Sequence, residues 1–139
     1  MSKRLVFEVK LPIKVTLGVN KRKSYSCNLN AYRNWQHYLK NNVKQEYHKI
    51  VKEKIPKVRI KDPVFIKYEY FAKDNRKTDL MNIVSIIDKF FSDVLVELGV
   101  LTDDNYEYVR KVCGEYKGKD ELKEGYVLAK VYIDVKDKK

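Results

Sequence analysis

Between residues 64 and 104 two unlike periodicities follow one another, and they constrain this chain more than any other stretch. Val64, Ile66, Tyr68 and Tyr70 recur at every second position, the period of a strand with one buried face. A charged turn at residues 74–77 follows, and from Asp79 the period becomes that of a helix running to about Leu98. At 100° per residue, Leu80, Ile83, Ile87, Phe90, Val94 and Leu98 fall within roughly 20° to 100° around the axis, which defines the expected core face. Asp79, Asn82, Lys89 and Asp93 share an adjoining sector from about 0° to −80°. Asp88 falls near 180° and is expected in solvent. Thr78 or Asp79 is placed to cap the helix, and Gly99 stands where a C-terminal cap glycine belongs.

The remaining segments fit around that unit. Residues 4–10 alternate as a strand, and residues 13–17 give a second extended piece between Pro12 and Gly18. A basic, asparagine-rich loop spans residues 19–30. Asn30 then caps a helix predicted over residues 31–54, with Trp35, Tyr38, Leu39, Val43, Tyr47, Ile50 and Val51 on its apolar face. Residues 57–71 read as extended, interrupted at Asp62-Pro63. Strands are expected over residues 106–115 and 125–135, joined by a hairpin at residues 116–124. The order is β-β-α-β-α-β-β, an α+β class with two helices packed on a mixed sheet. At 139 residues the chain suits one domain, residues 1–139, with one core.

Charge narrows the choice of partner. Thirty Lys and Arg against 19 Asp and Glu leave a formal net charge of +11, a balance that favours a polyanion through counterion release. A lysine-rich surface that serves solubility alone is the other reading. Cys27 and Cys113 are far apart, and His37 and His48 lack a spacing that would hold zinc. Two unpaired cysteines suit a reducing cytosol. No signal peptide and no run of about 20 apolar residues is present, so the expectation is a soluble, intracellular protein without a membrane partner.

Chemistry enters with the carboxylates around the second helix. Asp79 lies at its start, and Thr102-Asp103-Asp104 just past its end. Phosphodiester hydrolysis needs an activated water and a stabilised transition state, and a hard Mg²⁺ ion held by aspartate oxygens supplies both. A nearby lysine can offset charge on the scissile phosphate. Helix capping by Asp79 and a turn at Asp103-Asp104 is the competing structural reading. One straight helix would separate the two acid sets by roughly 25–30 Å. They meet if the following strand carries the acid loop back, or if two subunits share the site.

Residues 76–109 resemble the RusA-like family of crossover-junction endodeoxyribonucleases, common in phages and prophages. The likeness rests on R-K-x-D-L-x-N, K-F-F-x-D-x-L and G-x-x-x-D-D-N-Y, about a quarter of the chain. It implies a small α+β domain acting as a homodimer that resolves four-way DNA (Holliday) junctions by paired cuts, in recombination and repair, with Mg²⁺ or Mn²⁺ and no small-molecule cofactor. A cytoplasmic setting in a bacterial host follows from the same likeness. By this resemblance Asp79, Lys89 and Asp104 are catalytic, Asp79, Asp103 and Asp104 hold the metal, and Asn82 and Asp93 support them. Lys21, Arg22, Lys23, Tyr25, Arg33, Lys40, Lys44, Arg76 and Lys77 are candidate DNA contacts. Met81 departs from the family's usual D-L-D-N, and a thioether cannot replace an oxygen ligand for Mg²⁺. A catalytically weak or inactive DNA-binding protein on the same scaffold is the alternative this departure favours.

Overall fold

The computed structural model describes residues 2–18 and 23–135. Its elements are β1 (Ser2–Pro12), β2 (Lys14–Leu17), β3 (Lys23–Ser26), α1 (Leu29–Asn34), α2 (His37–Lys52), β4 (Val64–Ala72), α3 (Leu80–Glu97), β5 (Val109–Lys119) and β6 (Tyr126–Val135). The fold is α+β, with a mixed four-stranded sheet in the order β1-β6-β4-β5 and a small β2-β3 hairpin sheet. β4 pairs parallel with β5 and antiparallel with β6, so α3 is the crossover between two parallel neighbours.

The alternation read at β4 is realised: Val64, Ile66, Tyr68, Tyr70 and Ala72 are buried on the helix side. Val127, Ala129, Val131 and Ile133 of β6 complete that layer with Val9 and Leu11 of β1. α3 lies between this sheet and the other helices. Phe91 meets Tyr68 of β4 edge-on, while Phe90 meets Tyr47 of α2 and Tyr32 of α1. Its buried arc is therefore wider than the predicted stripe and takes in Val84, Phe91, Ser92 and Leu95, whereas Leu98 is exposed. Gly114 of β5 permits this packing, because a Cβ there would sit 2.9 Å from Val84 Cγ2. At the end of α3, Gly99 adopts φ 75°, its N–H bonds the Val96 carbonyl, and Val100 N–H bonds that of Leu95. That pairing satisfies the last carbonyls and turns the chain toward β5.

Four local expectations are corrected. The helix predicted over residues 31–54 is two helices, broken at Trp35-Gln36, and its cap is Asn28, whose side chain accepts from Ala31 N–H at 2.9 Å. Asn30 instead sits inside α1. Part of the expected polar loop pairs as β3 against β2. Residues 57–63 form no strand; Ile60 N–H bonds the Val100 carbonyl and Val64 N–H that of Tyr108, anchoring this segment to the far end of α3 and the acid loop. Residues 116–124 do not close a hairpin, because β4 lies between β5 and β6. The connection is held by Asp120, whose carboxylate accepts from the N–H groups of Leu122, Glu124 and Gly125. Both cysteines are free, and among the described residues no helix is long and apolar enough to cross a membrane.

Candidate catalytic site

Asp79 is the N-cap residue of α3, yet its side chain makes no capping hydrogen bond and is exposed. The helix does not use this carboxylate, which leaves both oxygens available. Asn82, half-buried one turn on, donates its backbone N–H to the Asp79 carbonyl at 3.1 Å. Met81 is exposed between them, at 57% of its full surface, and offers no oxygen. Arg76 N–H bonds Asp74 Oδ1 at 2.9 Å, so the approach to the helix is a tight, charged turn.

At the other end, Asp103 is engaged structurally. Its carboxylate accepts from Asp104 N–H at 2.7 Å and from the Asn105 side-chain amide at 3.1 Å. Asp104 is exposed, and its charge reaches Asp88. Asp79 precedes the 18-residue α3 and Asp104 follows it in sequence, but the loop folds back far enough for the Asp104 charge to act on Asp88, midway along the helix. Among the described residues no three His, Cys, Asp or Glu side chains come together as a metal-binding group.

Asp88 departs from the sequence expectation. It is half-buried against the sheet, and its Oδ1 accepts from the Tyr68 hydroxyl and from Ser92 Oγ at 3.2 Å. Burial pushes this carboxyl above the usual aspartate range; the two hydroxyls pull it back, and the Asp104 charge adds to the rise. Tyr68 is buried, which with the facing Asp88 charge pushes its hydroxyl well upward and keeps it a donor. The burial of Asp88 and Ser92 escapes the sequence reading because the core face of α3 is drawn too narrow there. A serine one turn after an aspartate, beside Phe91 and Leu95, was the available signal.

Lys89 is exposed on α3. Asp93 pairs across to Lys44 of α2 at 2.8 Å, and His48 Nδ1 lies 2.8 Å from Glu97. These pairs bridge a groove of about 470 Å³ between α2 and α3, floored by Phe90 and Val94 and edged by Lys49 and Lys52. The candidate DNA contacts divide. Lys23, Arg33, Arg76 and Lys77 are exposed, while Lys40 sits 4.6 Å over the Tyr32 ring. Tyr25 packs edge-on against Trp35 at 5.9 Å. Lys21 and Arg22 lie outside the described residues. Compared with known proteins, the chain matches no family model and no curated protein.

Proposed function

We propose that this protein is a metal-dependent, structure-selective endodeoxyribonuclease acting on four-way DNA junctions. The observation that carries the reading is Asp79: it begins α3 without capping it, directly ahead of Asn82 and within the D-L-x-N pattern. An aspartate at a helix start that forgoes its cap bond is otherwise a wasted stabilising contact of about 1 kcal/mol. Asp79 and Asp104, with Asp103 beside it, are the oxygen donors that would hold Mg²⁺ or Mn²⁺, which when bound supplies Lewis acidity and a water of lowered pKa. Lys89 is the exposed cation that offsets phosphate charge.

Among the described residues Asp79, Asp103 and Asp104 do not come together as one metal-binding group, so a single copy leaves the donor set incomplete. A homodimer would supply donors from two copies, and its two-fold symmetry would match the two strands cut at a junction. The alternative, a junction-binding protein without turnover, is favoured by Met81, which puts a thioether where an oxygen would complete the site.

Cleavage of a labelled four-way junction in Mg²⁺, Mn²⁺ and EDTA, by wild type and Asp104→Asn, separates the two. Symmetric, metal-dependent nicks lost by at least about a hundredfold in the variant support the nuclease. Tight binding with no cutting in either metal leaves the binding protein.

A further inference from the structure

The helices cover one face of the sheet; on the other face Lys3, Leu5, Glu8 and Lys10 of β1 and Lys111, Glu115 and Lys117 of β5 are exposed. That outer face carries Phe65, Lys67, Glu69 and Phe71 from β4, with Tyr132, Lys130, Leu128 and Tyr126 opposite them on β6. Aromatic pairs therefore stand at both ends, Phe65 beside Tyr132 and Phe71 stacked on Tyr126 at 4.6 Å between centroids. Six residues of strand place them about 20 Å apart. Between them Lys67, Lys117 and Lys130 surround Glu69, within 3.4, 4.0 and 3.1 Å, and Lys67 and Lys117 also pair with Glu115 of β5 at 2.8 and 3.7 Å. Lys3 lies 4.4 Å over Phe65 and Lys10 4.2 Å over Tyr126.

We infer that this outer sheet face is a binding platform for single-stranded nucleic acid. Charge selects the occupant. Glu69 is almost fully buried among three lysines, Glu115 pairs with Lys67 and Lys117, and Glu8 lies opposite Lys130, so with Lys3 and Lys10 five lysines face three glutamates and the face keeps a positive excess. A second copy laid face to face would set this positive excess against itself, which disfavours it. An unpaired strand meets both chemistries: phosphates take the lysines, and unstacked bases take the rings, as on other four-stranded sheets that bind single strands. Lys3 and Lys10 lie over their rings in weak cation–π contacts, so a base can displace each ammonium onto a neighbouring phosphate. The face is separate from the α3 carboxylates, and the inference stands whether or not the protein cuts DNA.

The test is fluorescence anisotropy with a labelled oligo-dT of about 16 nucleotides, in EDTA, at several salt concentrations. Phe65→Leu/Tyr132→Leu and Phe71→Leu/Tyr126→Leu keep apolar volume and remove the stacking surface, and each pair is expected to weaken oligo-dT binding at least about tenfold. Lys3→Gln/Lys10→Gln, which removes two exposed cations and leaves both rings in place, is expected to shallow the salt slope by between one and two. Melting temperature and four-way-junction affinity of the leucine variants serve as fold and specificity controls. Unchanged oligo-dT affinity in all three variants overturns the proposal. So does a wild-type dimer, measured by sedimentation, that the leucine pairs convert to monomer, because the occupant is then a second copy.

Discussion

Replacing Tyr68 with phenylalanine removes one hydroxyl from a fully buried ring and leaves Asp88 with Ser92 as its remaining side-chain donor. A hydrogen bond to a charged group contributes about 1.5–3 kcal/mol, and partial exposure of Asp88 places this one near the lower end. Burial raises the Asp88 carboxyl, so as pH falls the folded protein takes up this proton before the unfolded chain does. The cost of keeping Asp88 ionised is thus absent below the ordinary aspartate value of about 3.9 and grows as pH rises through the folded value. Losing the Tyr68 donor raises that folded value further. Tyr68→Phe should therefore cost about 2 kcal/mol near pH 8 and about 1 kcal/mol near pH 3, below the ordinary aspartate value, where a neutral carboxyl loses an ordinary bond. With about 2.1 cal/mol/K of unfolding entropy per residue over 139 residues, these losses lower Tm by about 7 °C and 3 °C. Thermal melts followed by circular dichroism at both pH values give the numbers. Tyr47→Phe, which removes a 3.0 Å bond to the neutral Pro12 carbonyl, is the control and should lose about 1 kcal/mol at either pH. Equal losses for Tyr68→Phe at both pH values would refute the charged partnership with Asp88.

Gly114→Ala places a methyl 2.9 Å from Val84 Cγ2 and should destabilise by about 1–3 kcal/mol in urea unfolding. Val84→Ala should recover part of that loss in the double variant, and strictly additive losses would show that the two positions do not collide. Burial pushes the Asp120 carboxyl up, but three backbone N–H donors outweigh it and hold it below the usual range. Its contribution is present above the unfolded value and lost as pH falls through the folded one. Asp120→Asn should therefore flatten the fall in Tm between about pH 5 and pH 2, and a variant curve parallel to wild type would contradict this.

The strand and helix around residues 64–98 were legible because each has one dominant periodicity and each is stopped by local chemistry, the charged turn before α3 and Gly99 after it. Asp79 and Asp104 were legible as candidates for the same reason: motif and spacing survive in one dimension. What escaped depends on three-dimensional neighbours. Asp88 looked solvated on a helical wheel with one buried sector, but α3 is buried on two sides, against Tyr68 and against Tyr47. Residues 116–124 carried ordinary hairpin chemistry, yet β4 takes the place between the flanking strands. The break at Trp35-Gln36 had no glycine or proline to mark it. Asn28 and Asn30 are equivalent as cap residues until the β3 turn fixes where α1 begins.

The position of β6 also governs how this sheet can form. It lies between β1 and β4, pairing Leu5 with Tyr132 and Phe65 with the same residue, so every β1 contact in the sheet spans more than 110 residues of chain. β4, α3 and β5 are contiguous and can dock early, whereas β1 has no neighbour until β6 arrives. A partly formed sheet would thus expose β4's free edge, with Phe65 and Phe71 on one face and Ile66 and Tyr68 on the other, a pairing template for another copy. Folding of this protein should be slow for its size and most vulnerable to aggregation before that one strand is inserted.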